Sequence, residues 1–126
     1  MSVQEIIRQD TTGEKLVKLA EEKGQQLSRS LKRTQIRGIF TEARRIEAQW
    51  QTLGEDKAMR RLNMLKPKLH YQAKRNPDVE PLRALLVEVI DEVAQGKQGK
   101  DRLDRFERFM ELFEAILAYH RFYGGS

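Results

Sequence analysis

Apolar residues along the chain recur at steps of three and four, and no segment alternates regularly between apolar and polar residues. A step of three or four returns a side chain to the same face of an α-helix, whereas alternation is typical of a half-buried strand. The clearest run lies in the second predicted helix, at Ile36, Ile39, Phe40, Ala43, Ile46, Trp50 and Leu53. The pattern therefore predicts an all-α protein, a single-domain bundle of about five helices.

Capping and breaking residues predict where the first three helices begin and end. Thr11 and Glu14 have the spacing of a capping box, and Gly24 is expected to end the first helix. Thr34 is the expected N-cap of the second helix. The third helix contains Pro67, which predicts a kink or a break because proline lacks an N–H and clashes with the preceding turn.

Two further helices complete the predicted bundle. The fourth carries Pro81 in its first turn, where proline is tolerated, and a flexible loop at residues 95–100 leads to the fifth. That last helix is apolar over so wide an arc that we expect it at the centre. Residues 1–10 are expected to be flexible, and residues 11–125 to form the domain. The predicted core contains Phe40, Ile46, Trp50, Leu85, Val89, Phe106, Phe113 and Leu117.

Positive charge is concentrated in the middle of the chain. Residues 28–75 carry 13 Lys and Arg against 4 Asp and Glu, a net charge of +9. The flanking segments are net acidic, with −1 for residues 1–27 and −3 for residues 76–126, so the whole chain has a net charge of +5. A basic surface confined to one part of the fold is typical of a protein that binds nucleic acid.

The second and third predicted helices carry the candidate nucleic-acid-binding residues. Arg37 and Arg44 lie two helical turns apart on one face, and the start of their helix, with its free N–H groups, attracts anions. The candidates are Lys32, Arg33, Gln35, Arg37 and Arg44 on or before the second helix, and Arg61, Lys66, Lys68, Tyr71, Lys74 and Arg75 on the third.

Two alternatives stay open for these residues. The basic run is either a phosphate-binding surface or only a solvated face, and its extension over two consecutive helices favours binding. Tyr71 either stacks on a base, as aromatic residues do in proteins that bind single strands, or is a core tyrosine whose hydroxyl reaches water.

Residues suited to catalysis or metal binding are few. No Asp or Glu lies within four residues of His70 or His120, so the helical Glu-x-x-His and His-Glu-x-x-His patterns are absent. Glu107, Glu111 and Glu114 share a helix face, but neighbouring arginines favour a salt-bridged surface. We therefore predict no catalytic residues, no metal and no cofactor. A small metal-dependent nuclease is disfavoured because it would lack ligands.

The chain has no cysteine, which excludes disulfides and thiolate chemistry. No apolar run is long enough to span a membrane, and the first residues lack the layout of a signal peptide. We therefore expect a cytoplasmic protein without a membrane partner.

Three stretches together resemble a known family. They are Thr34-Gln35-Ile36-Arg37, the segment LKPKLHYQAKRN at residues 65–76, and FERFMELFEAILAYHRFYGG at residues 106–125. In order and spacing the chain resembles the small subunit of the Csm complex, the type III-A CRISPR effector.

The resemblance implies a bundle of about five helices without enzymatic activity, present in several copies that stack along the filament holding the guide RNA. The implied partners are guide RNA, target RNA, the large polymerase-like subunit, the backbone subunits and further copies of the chain. It also implies target-RNA contacts at Arg37, Lys66, Lys68, Lys74 and Arg75. The alternatives are the type III-B small subunit and a helix-turn-helix DNA-binding regulator. The regulator is disfavoured because the basic face spans two long helices rather than one short recognition helix.

Overall fold

Six α-helices and one short 3-10 helix follow one another in the computed structural model, which describes residues 2–126. They are α1 (Val3–Gln9), α2 (Glu14–Ser28), α3 (Arg33–Leu53), α4 (Glu55–Arg75), the 3-10 helix η1 (Pro77–Val79), α5 (Glu80–Ala94) and α6 (Lys100–Phe122). The described residues contain no strand, so the all-α prediction is confirmed. The number of α-helices is six rather than about five.

The additional helix, α1, lies in the segment that we expected to be flexible. Its side chains Ile6 and Ile7 are fully buried, and the Ser2 hydroxyl accepts a hydrogen bond from the N–H of Glu5. At its other end, Arg108 donates hydrogen bonds to the carbonyl oxygens of Ile7 and Arg8. Seven residues are too few to stabilise an isolated helix, so contacts with the rest of the protein hold α1 in place.

Both predicted ends of α2 differ from the observed ones. Gly13, with a φ of 79°, precedes the helix and the predicted capping box is not formed. Gly24 does not end the helix, which continues to Ser28. A Cβ atom on Gly24 would lie 2.5 Å from the Cβ of Tyr119. This glycine therefore permits a close approach of α2 to α6.

The helices α3 and α4 also differ locally from the predictions. Lys32, rather than Thr34, occupies the N-cap position of α3. Of the kink or break predicted at Pro67, the break is absent, because α4 is one helix from Glu55 to Arg75. Both Leu65 and Leu69 on either side of Pro67 are buried. Proline removes one hydrogen bond from the carbonyl four residues earlier; that carbonyl belongs to Asn63, an exposed residue.

The helix α6 lies at the centre of the bundle, as predicted. Phe106, Phe109 and Phe113 are fully or almost fully buried along it, and it contacts α1, α2, α3 and α5. The ring of Trp50 on α3 stacks on Phe106 at 4.6 Å, and the ring of Phe40 meets Phe113 at 5.1 Å. Since the earlier residue of α3 meets the later residue of α6, these two helices are antiparallel.

Most of the predicted core is buried, with two exceptions. Ile46, Trp50, Leu85, Val89, Phe106 and Phe113 are buried, whereas Phe40 and Leu117 are only half-buried at the edge of the core. Within residues 2–126, every helix is too short or too polar to cross a membrane.

Candidate nucleic-acid interface

A groove runs between α3 and α4, two helices of 21 residues joined at Gly54. Gly54 has a φ of 92°, a conformation that glycine adopts without the steric cost of a side chain. The chain reverses there, so the two helices pack side by side. One stripe from each helix lines the groove, and on both helices the stripe advances by steps of three and four. The stripes are Gln35, Gly38, Glu42, Arg45 and Gln49 on α3, and Arg61, Met64, Lys68, Tyr71 and Arg75 on α4.

We call this feature the α3–α4 groove, and the stripes extend it over about 21 Å, the length of 14 helical residues. Because the helices are antiparallel, the start of the α3 stripe faces the end of the α4 stripe. Gln35 therefore lies near Arg75, and Gln49 lies near Arg61. The groove contains two separate cavities.

The first, which we call the Gly38–Tyr71 cavity, has a volume of about 550 Å³. Tyr71 is 62% exposed, which contradicts a core role for this residue. The guanidinium carbon of Arg75 lies 5.7 Å from the centre of the Tyr71 ring, a distance at which a cation is attracted to an aromatic face. The lining residues are Thr34, Gln35, Gly38, Ile39, Tyr71, Gln72, Arg75, Asn76 and Val79.

The second, the Arg45–Lys68 cavity, has a volume of about 380 Å³ and is more polar. Arg45, Arg61 and Lys68 line it together with one carboxylate, Glu42, which lies 3.5 Å from Arg45. The side-chain oxygen of Gln49 is buried beside this cavity and accepts no hydrogen bond from the residues that the structure describes.

The charge of the α3–α4 groove is strongly positive. Among the described residues, four cations line it, Arg45, Arg61, Lys68 and Arg75, against the single carboxylate of Glu42. Three of the cations, Arg61, Lys68 and Arg75, are exposed and form no salt bridge with any residue in the described part of the chain. Successive members of this trio are seven residues, or about 10 Å, apart along α4. Such a row is suited to several phosphates of one strand.

Six of the eleven predicted binding residues lie outside the α3–α4 groove. Arg44 points towards α6, with its guanidinium 2.7 Å from Glu47 and 3.7 Å from Glu114. The hydrogen bond with Glu47 raises the pKa of Arg44. Lys66 forms an ion pair of 2.7 Å with Asp91 on α5. Both cations therefore have carboxylate partners already.

The remaining predicted residues are distributed over other surfaces. Arg37, Lys74 and Lys32 are exposed outside the groove. Arg33 is half-buried, and its backbone N–H and guanidinium donate to the carbonyl oxygens of Ser126 and Gly125. These bonds attach the start of α3 to the residues that follow α6. The predicted phosphate site at Lys32, Arg33 and the start of α3 is therefore partly occupied by the protein itself.

Sequence reasoning missed Arg45, Gly38 and Gln49, which all line the α3–α4 groove. The signal was present, because these residues share with Gln35 and Glu42 the same steps of three and four as the basic stripe of α4. What the sequence did not show is which face of α3 lies beside that stripe.

The histidines and glutamates considered for catalysis or metal binding are either hydrogen-bonded within the core or exposed. His120 is buried, and its Nε2 lies 2.7 Å from the carbonyl oxygen of Leu31; since a carbonyl only accepts, Nε2 carries the hydrogen. His70, Glu107, Glu111 and Glu114 are exposed. Across residues 2–126, no three His, Asp or Glu side chains are grouped so that they could hold a metal ion.

Comparison with protein families adds a decisive observation. The family model described as Csm2 Type III-A matches residues 10–126, which include α2 to α6 and both stripes of the groove. The chain belongs to the Csm2 family. Its resemblance to the small subunit of the type III-A Csm complex is thereby confirmed. The Csm2 match begins after Gln9, so the helix α1 lies outside it. Comparisons with curated proteins found no match, and comparisons with solved structures found none either.

Proposed function

We propose that this Csm2 family member is a non-catalytic subunit that binds the sugar–phosphate backbone of target RNA, or of the guide–target duplex, along the α3–α4 groove. The observation that carries the proposal is the row of Arg61, Lys68 and Arg75, three exposed cations without carboxylate partners among residues 2–126. Lys and Arg side chains bind phosphate by releasing condensed counterions, which makes such binding strongly dependent on salt.

A contact of this kind carries no sequence information, and none is needed in an RNA-guided complex. Base pairing between guide and target reads the sequence, while the protein binds backbone and helical shape. Arg45 and Gln35 extend the groove on the α3 side, so one strand contacts both helices at once.

Partner subunits are proposed to occupy other faces of the bundle. The outer face of α6 carries Asp104, Glu107, Glu111 and Glu114, which would repel RNA. The same helix ends in Phe122, whose side chain is 75% exposed. These features support contacts with the large polymerase-like subunit, with the backbone subunits or with further copies of the chain, so that the subunit bridges RNA and protein in the filament.

The proposed absence of catalysis is supported by the engagement of the chemically active side chains. His120 is hydrogen-bonded within the core, and Glu114 faces Arg44. We expect the purified protein to leave RNA and DNA intact with or without divalent metal.

The test is a triple variant, Arg61→Ala, Lys68→Ala and Arg75→Ala, with the salt dependence of RNA binding as the measurement. If each cation binds one phosphate of a single strand, the slope of log K against log salt falls by about 0.7 per residue, or about 2 in total. The result should be the same for RNAs of different sequence.

The control variant replaces three exposed cations outside the groove by alanine, Lys18, Lys57 and Arg121. It therefore has the same net charge as the triple groove variant. A loss of affinity and slope in the groove variant, with little change in the control, supports the proposal. Equal effects in the two variants would show that only the overall charge matters, and unchanged binding in the groove variant would contradict the proposal.

A further inference from the structure

The Gly38–Tyr71 cavity differs from the rest of the α3–α4 groove in its chemistry. The only cation that lines it is Arg75, and no carboxylate is among the described residues around it. Its floor includes the buried side chains of Ile39 and Val79. Phosphate groups alone would not require an apolar cavity of about 550 Å³, a size typical of sites for small organic ligands.

Tyr71 and Arg75 present a stacking surface to this cavity. The Tyr71 ring is 62% exposed, and the Arg75 guanidinium lies over it at 5.7 Å. Aromatic rings and guanidinium planes are the groups on which proteins stack unpaired bases of single strands. The exposed ring is thus available to a flat, partly apolar ligand.

Gly38 keeps the cavity open on the side of α3. It lies inside a helix, where glycine is less favourable than alanine. A Cβ atom at this position would meet nothing in the described residues within 4 Å, apart from its chain neighbours and its own helix backbone. Packing within the protein therefore does not require a glycine here. The missing side chain leaves room for a ligand close to the α3 backbone.

Polar groups around the cavity match the edges of a base. Gln35, Gln72 and Asn76 each carry a carboxamide, and Thr34 carries a hydroxyl. The Asn76 oxygen accepts the N–H of Asp78, which leaves its amide group as a donor. Carboxamides both donate and accept hydrogen bonds, so they tolerate different bases.

We propose that the Gly38–Tyr71 cavity receives one unpaired nucleobase of the bound RNA, which stacks on Tyr71 and Arg75 while the strand continues along Lys68 and Arg61. This inference rests on the proposed function, because the phosphate contacts bring the strand to the cavity. It adds a contact that depends on the presence of a base but not on salt.

The experiment compares an intact single-stranded RNA with an abasic strand of equal length, which keeps every phosphate and ribose. The parent protein is expected to bind the intact strand about tenfold more tightly, within the range for stacking of one base. Two variants, Gly38→Leu and Tyr71→Leu, should bind the intact strand as weakly as the parent binds the abasic strand. Their salt slopes should equal that of the parent, because neither change alters a charge.

Two controls accompany these variants. Tyr71→Phe keeps the ring and should retain the preference for the intact strand. Ala48→Leu adds the same side chain at an exposed position of α3 outside the groove and should bind like the parent. A Cβ atom at Gly38 meets nothing in the described residues outside its own helix, and leucine favours a helix more than glycine does. Gly38→Leu should therefore melt at or above the temperature of the parent, and a folding defect would show in that measurement.

The outcomes separate this inference from the proposed function. If binding is dependent on salt but the parent binds both strands equally, or if both leucine variants keep the preference, the cavity does not hold a base although the groove binds phosphate. If the parent shows no binding that depends on salt, the proposed function fails and this inference fails with it. If the two leucine variants no longer assemble with partner subunits but bind RNA as tightly as the parent, the cavity holds a side chain of a partner protein. That outcome would also overturn the inference.

Discussion

Arg8 on α1 forms an ion pair of 2.6 Å with Glu92 on α5, and the carboxylate is almost completely buried, with 5% of its side chain exposed. Arg8 also donates a hydrogen bond to Gln95. The pair joins the first helix, outside the Csm2 family match, to the body of the bundle.

Replacing Arg8 by alanine should destabilise the protein, because it leaves a buried carboxylate without its partner. We expect a loss of about 2 kcal/mol in the free energy of unfolding, since Arg8 itself is partly exposed and water compensates in part. Urea unfolding measures the change. The double variant Arg8→Leu with Glu92→Leu removes both charges and should be less destabilised than Arg8→Ala; a larger loss in the double variant would contradict this account.

Two glycines inside helices should respond to alanine in opposite directions. At Gly24, a Cβ atom would lie 2.5 Å from the Cβ of Tyr119 and 2.9 Å from the backbone nitrogen of His120, so Gly24→Ala should cost about 1–3 kcal/mol despite the better helix propensity. At Gly38 the same change meets no atom and should raise stability by up to about 1 kcal/mol. Thermal unfolding of both variants provides the test, and changes of the same sign would refute it.

Stacking of Trp50 on Phe106 at 4.6 Å predicts a large cost for truncation in the core. Phe106 is almost fully buried, so Phe106→Ala should lower the free energy of unfolding by about 3–5 kcal/mol. The conservative change Phe106→Leu should cost clearly less. Trp50 is the only tryptophan in the chain, so its fluorescence reports the altered environment directly. Equal stability of the alanine and leucine variants would contradict this packing.

Asp101 at the start of α6 predicts a dependence of stability on pH. Its carboxylate accepts a hydrogen bond of 2.8 Å from the backbone N–H of Lys97; this bond, together with Arg105, lowers the pKa of Asp101. A lowered pKa means that the Asp101 carboxylate stabilises the folded protein when the pH is above the usual aspartate pKa of about 3.9. This contribution disappears as the pH falls through the lower pKa of the folded state.

Asp101→Ala should therefore be less stable than the parent at pH 7, and the difference should shrink below about pH 4. Urea unfolding at pH 7, 5, 3 and 2 measures it. A difference that stays constant over this range would show that the carboxylate charge contributes nothing.

Half of the candidate interface could be predicted from the sequence. The steps of three and four from Arg61 to Arg75 place five residues on one face of a helix, and all five line the α3–α4 groove. Whether each cation is paired with a carboxylate could not be predicted in the same way. Lys66 is paired with Asp91, which lies 25 positions away in the chain. Arg44 is paired with its neighbour Glu47 and also contacts Glu114, 70 positions away.

The helical class, the central position of α6 and the concentration of positive charge in α3 and α4 follow from the amino-acid pattern alone, because helical periodicity and charge are local properties. The bounds of α1 and α2, and the face of α3 that lies beside α4, depend on tertiary contacts. Ile6 and Ile7 form part of a helix because they are buried against distant elements, and Gly24 continues a helix because α6 approaches it closely. Such contacts join residues far apart in the chain, so local propensity does not encode them.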